Sequence, residues 1–152
     1  MGDAMIAALT LAAALHALSP PPAGDSVLGS TFVGPVINSY SGQAMQGFSW
    51  FRIDKQGRYT GHTIARKPGA DCLSYDDKGW TGQLYKLSRQ TYFAFNDEAH
   101  EGYLIQLAPD RRSGSSTYFG AEPGVIEANW FYKDRHFQPE RILSLAAGVM
   151  CE

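Results

Sequence analysis

From Thr31 onward, apolar and aromatic residues recur at every second position, in short runs separated by Gly, Pro or Asp/Asn clusters. A period of two is the mark of a strand, and β-branched and aromatic residues suit a pleated surface. Phe48 to Ile53 and Tyr59 to Ala65 flank Asp54-Lys55-Gln56-Gly57, an Asp-to-Gly connection that suits a type I turn and a hairpin. Trp80 to Leu87 and Thr91 to Phe95 flank Ser88-Arg89-Gln90 as a second hairpin. Gly102 to Ala108 and Ser116 to Ala121 flank Pro109 to Gly114 as a third, and Ile126 to Lys133 is a further strand. Thr31 to Ile37 is weaker. Gly34-Pro35 interrupts it, and proline places such a run at an edge or a bulge.

Several runs are apolar on both faces. Phe48 and Trp50 point one way, Phe51 and Ile53 the other. One face can pack a core while the other meets a helix, a second sheet or a partner. The tail from Pro139 to Met150 reads two ways. Pro139 followed by Glu140 fits a helix start. Arg141, Leu143 and Leu145 alternate with Ile142 and Ser144 as a closing strand would, and the strand is favoured because a disulfide at Cys151 would pin an edge element. The expected fold is all-β: a single small antiparallel barrel or sandwich of about seven to nine strands, with a short C-terminal helix as the alternative for the tail.

Residues Met5 to Leu18 form an uncharged run rich in Ala and Leu, followed by Ser19-Pro20-Pro21-Pro22. About 14 apolar residues fall short of the roughly 20 that span a bilayer, and fit the core of a secretory signal peptide. Ala17 or Ala23 supplies a small residue for cleavage, although the stretch before the core carries Asp3 and no Lys or Arg. A buried N-terminal helix is the alternative. The expected organisation is a leader over 1–23, a linker over 24–30 and one β domain over 31–152. No later segment is long and apolar enough to cross a membrane as a helix. The two cysteines, Cys72 and Cys151, lie after the leader and read first as a disulfide, with two unpaired thiols as the alternative. Leader and disulfide together point to export, periplasmic or extracellular.

The net charge of −2 and a charged fraction of 18% argue against a nucleic-acid partner, which favours a basic excess. No motif for a cofactor is present: there is no G-x-G-x-x-G, no phosphate-cradling loop, no G-x-S-x-G elbow and no H-E-x-x-H or C-x-x-C metal spacing. His62, His100 and His136 are the weak catalytic candidates, because histidine titrates near neutrality and serves as a general base. A carboxylate at Asp97, Glu98 or Glu101 would have to lie beside one of them. The acidic clusters at Asp71, Asp76-Asp77 and 96–101 sit where Asp and Asn favour turns, and Arg111-Arg112 sits in a Ser/Gly-rich hairpin tip.

The aromatic set carries more weight. Trp50, Tyr59, Trp80, Tyr92, Tyr118 and Trp130 recur across the strands and suit a binding surface, being apolar with a polar handle. A disulfide running from mid-chain to the C-terminal segment around a small barrel resembles the lipocalins in layout. Their G-x-W signature is not matched, since Gly47-Phe48-Ser49-Trp50 has a different spacing, so the likeness is one of architecture alone. These features favour an exported, non-catalytic module that binds a small apolar ligand or a protein partner, in the manner of inhibitor or immunity proteins. A small hydrolase or isomerase built on one of the histidines is the alternative.

Overall fold

The computed structural model describes residues 18–40, 43–120 and 126–152. Most of the expected leader, and Ala121 at the end of one expected strand, lie outside the described residues. Nine antiparallel strands form one sheet: β1 (Thr31–Tyr40), β2 (Gln43–Ile53), β3 (Arg58–Arg66), β4 (Leu73–Tyr75), β5 (Trp80–Lys86), β6 (Thr91–Asn96), β7 (Glu101–Leu107), β8 (Ser113–Gly120) and β9 (Ile126–Lys133). Their order is β2-β1-β9-β8-β7-β6-β5-β3-β4, and an added β2–β3 pairing closes the ring. Eight strands make an up-and-down barrel, and β4 hangs outside it on the second half of β3. Eight strands leave an interior that side chains can nearly fill.

The in-out alternation sorts the double-faced strands. Phe51 and Ile53 point into the barrel with Phe32, Tyr59, Leu84, Tyr92, Tyr103, Ile105 and Phe131. Phe48 and Trp50 point outward with Val33 and Ile64. That outer face is covered by the tail, which is a helix, α1 (Pro139–Ala146), followed by a 3-10 turn at Ala147–Val149. The strand expected at 139–150 is corrected here. Pro139 opens the helix, and Ile142, Leu143 and Ala146 lie on one helical face against Trp50 and Ile64, while Leu145 stays exposed. Closure of the barrel also leaves little free edge for another strand, and β4 occupies the edge β3 frees after Gly61.

A second correction concerns β1. It is neither an edge strand nor bulged: it pairs with β2 without a break in register from Thr31↔Arg52 to Tyr40↔Gln43. On the β9 side the pairs stop after Val33↔Tyr132 and resume at Val36↔Asn129 in the same register. Pro35 withholds only one donor, so the ladder skips rather than shifts. Gly34 is needed there because a Cβ would collide with the Trp130 carbonyl.

Cys72 and Cys151 are joined, with Cα atoms 4.9 Å apart. The Cys151 amide also donates to the Leu73 carbonyl at 2.8 Å, so the tail is tied to β4 by a covalent and a hydrogen bond. The cross-link spans a sequence separation of 79. Loop-closure entropy for such a span gives about 4–5 kcal/mol of stabilisation. Reduction, or Ser at either cysteine, is expected to lower Tm by roughly 10–20 °C, with the double variant no worse than either single one. Calorimetry of the reduced and oxidised forms checks this, and an unchanged Tm would contradict it.

Candidate functional site: the open end of the barrel

The strand registers put Lys86, Tyr92, Leu107 and Lys133 at one end of the barrel and Trp80, Asn96, Glu101 and Glu127 at the other. The two ends differ in kind.

The first end is sealed by residues 19–30. The Ser19 carbonyl accepts from the Lys86 amide at 3.0 Å, and Val27, only 1% exposed, plugs the core. The stretch expected as a linker over 24–30 is therefore packed. Asp25 sits in the seal with a side chain 1% exposed, paired to Lys86 Nζ and Arg111 Nη2 at 2.7 Å each. The Tyr92 hydroxyl donates to the same carboxylate at 2.9 Å. Burial works against the charge on Asp25. Hydrogen bonds from Lys86, the Val27 amide and Tyr92, with the Arg111 charge, outweigh it and hold the carboxyl below its ordinary range.

The second end is open. Tyr59, Trp80, Tyr103 and Tyr118 meet inside it: Trp80 stands edge-on to Tyr103 at 4.9 Å, and Tyr118 to Tyr103 at 5.8 Å. Two carboxylates lie among these rings. Glu101 accepts from Trp80 Nε1 and from the Tyr118 hydroxyl, each at 2.7 Å. Glu127, 8% exposed, accepts on Oε1 from the Tyr103 hydroxyl at 3.1 Å and Asn129 Nδ2 at 3.4 Å. Asn129 Nδ2 also donates to Ser116 Oγ at 3.1 Å. Burial, aided by the Glu101 charge, pushes the Glu127 carboxyl up, against hydrogen bonds from Tyr103 and Asn129. Burial and the Glu127 charge push the Tyr59 and Tyr103 hydroxyls far up as well, so both remain donors at neutral pH.

A cavity of about 40 Å³ lies between Glu127, Asn129, Tyr59 and Tyr103. Above it opens a mouth of about 430 Å³ walled by Trp80, Tyr75, Ala65 and Thr63, with Lys67 and Asp76 on its rim. The two spaces share Gly61, His62, Thr63, Trp80, Tyr103 and Glu127 in their walls.

Of the six aromatic candidates, Tyr59, Trp80 and Tyr118 come together at this end. Tyr92 belongs to the seal, Trp50 to the outer face under α1, and Trp130 stands half exposed outside β9. The three histidines are apart. His62 stacks on Trp50 outside the barrel and donates Nδ1 to the Asp76 carbonyl at 3.3 Å. His100 lies exposed in the turn before β7 with φ 52°, and His136 lies exposed after β9. No ring of the three is hydrogen-bonded to a carboxylate among the described residues, nor do any three His, Cys, Asp or Glu side chains there converge on a metal position. Glu127, Asn129 and Tyr103 escaped the sequence reading. Their signal was the alternation Glu127, Asn129, Phe131, which puts two polar groups on the face of a core phenylalanine.

No protein-family model and no curated protein matches the chain. Among solved structures it is similar to the siderocalin Ex-FABP, described as functioning through dual ligand specificities. Identity is 13%, the TM-score is 0.45, and the match covers 82% of this chain and 88% of that one. The likeness is weak, and the barrel stands on its own strand order.

Glu127 offers a direct check on the interior. An acid whose folded pKa is raised holds its proton more tightly when folded, so stability falls as pH climbs past the unfolded value. Glu127→Gln keeps an acceptor for Tyr103 and removes the charge. It is expected to match the wild type below about pH 4 and to melt higher at about pH 7–8. Equal Tm values across that range in thermal melts would contradict the placement of a buried carboxylate.

Proposed function

We propose that this chain is an exported binding module that takes a small organic ligand into the open end of its barrel, without catalysis. One observation carries the reading: the barrel is sealed by Val27 and Asp25 at one end and opens at the other into an aromatic mouth of about 430 Å³. That volume suits a small ligand, and the walls combine apolar surface with a few placed polar groups. The Cys72–Cys151 bond supports an oxidising compartment, and the apolar run before Ser19 supports a leader.

A protein partner on the outer wall is the second reading. It is favoured by Trp130 and Tyr132, two residues apart on the outer face of β9 and 52% and 54% exposed.

The apolar dye N-phenyl-1-naphthylamine tests the first reading. It is expected to saturate at one per chain, with energy transfer from Trp80, and Trp130→Ala is expected to leave its affinity unchanged. Absence of saturable binding would overturn the ligand reading. Loss of binding in Trp130→Ala would move the site to the outer wall.

A further inference from the structure

The open end is short of positive charge. Glu101 and Glu127 are both held by neutral donors, from Trp80, Tyr118, Tyr103 and Asn129. The two ion pairs found among the described residues both lie on Asp25 at the sealed end. Lys67, which is exposed, is the one Lys or Arg among the residues that line the mouth. None of the residues outside the described ones is Lys or Arg. A carboxylate 8% exposed, as Glu127 is, normally finds a cation when charged.

A second observation is independent of the carboxylates. Asn129 is 6% exposed, lines the 40 Å³ cavity, and its Oδ1 has no hydrogen-bond partner. Its orientation follows from its neighbour: an ionised Glu127 can only accept, so the Asn129 amide nitrogen must face it. The carbonyl oxygen is left without a donor on a residue that lines the cavity. Glu127 Oε2 likewise accepts from no described residue. The residues carrying these two acceptors, one of them a carboxylate, line a space with room for a few water-sized groups at about 10–15 Å³ each but not for a ring.

We propose that the mouth takes an organic cation: a primary ammonium group enters the small cavity and donates to Glu127 Oε2 and Asn129 Oδ1, while its apolar body rests against Trp80, Tyr103 and Tyr75. This rests on the reading of the barrel as a small-molecule binder. An ammonium carries three donors and no acceptor, matching what the cavity lacks. Aromatic faces around a desolvated cation add to the attraction. An anion meets two carboxylates, and an alcohol offers one donor and no charge.

Phenethylamine, 2-phenylethanol and 3-phenylpropanoate share a ring and differ in the group presented to the cavity. Titration calorimetry of each at neutral pH tests the assignment, with the naphthylamine dye run in parallel. Phenethylamine is expected to bind at least about tenfold more tightly than 2-phenylethanol, the scale of one charge-assisted hydrogen bond. Glu127→Gln is expected to abolish that preference. Should Glu127→Gln fail to fold, Glu101→Gln is expected to reduce the preference in the same direction by a smaller factor. Equal or tighter binding of the alcohol or the carboxylate would overturn the cation assignment, as would a preference that survives both substitutions. Dye binding without an amine preference would sink this inference and leave the binding-module reading standing. Failure of both dye and amine to bind would sink both.

Discussion

The Asp25 carboxylate is the charge on which the rest of the barrel's arrangement depends. A side chain 1% exposed cannot keep a charge without partners. Those partners come from separate parts of the chain: Lys86 at the end of β5, Tyr92 in β6 and Arg111 in the turn before β8. Arg111 holds φ 61° to reach it, and its guanidinium also donates to Ser26 Oγ at 2.7 Å. Pairing one buried acid thus draws residues 19–30 across the end of the barrel and drives Val27 into the core. A barrel closed there leaves the opposite rim as the way in.

The opposite end keeps its polar groups inside for a different reason. Around Asp25 every acceptor meets a cation or a hydroxyl. Around Glu101 and Glu127 the donors are phenols, an indole and an amide. The first arrangement gains from both Coulomb attraction and hydrogen bonds. The second leaves a carboxylate that burial penalises and an amide oxygen unanswered. On the proposed reading of this end as a binding site, a ligand supplies the donors that the fold omits. The outer face follows a third logic. Phe48, Trp50 and Ile64 would expose a wide apolar strip, and α1 covers it, held at its far end by the disulfide to Cys72.

Much of this was legible in the residues. Period-two runs marked eight of the nine strands, and Asp54 to Gly57 marked the β2–β3 turn. The pairing of Cys72 with Cys151 followed from their being the two cysteines of the chain, both after an apolar run that reads as a leader. Barrel against sandwich was not legible, because closure is decided by whether β1 meets β9, which no local pattern encodes. β4 escaped because three residues carry no period. The tail read two ways, with the strand favoured over the helix that forms, because Ile142, Leu143 and Leu145 fit either period in so short a stretch. Trp50, Tyr92 and Trp130 were grouped with Tyr59, Trp80 and Tyr118 because strands apolar on both faces do not say which face is inside. Glu127 escaped because a lone acid in a strand ordinarily marks the solvent face.

The central claim is that the barrel has one sealed end and one open end. Paramagnetic broadening by a small neutral nitroxide, read in the NMR spectrum of the oxidised protein, tests it most directly. The indole N–H of Trp80 and the ring of Tyr118 are predicted to broaden, while the Val27 methyls and the Tyr92 ring stay sharp. Broadening of Val27 and Tyr92 as strong as that of Trp80 would contradict the account.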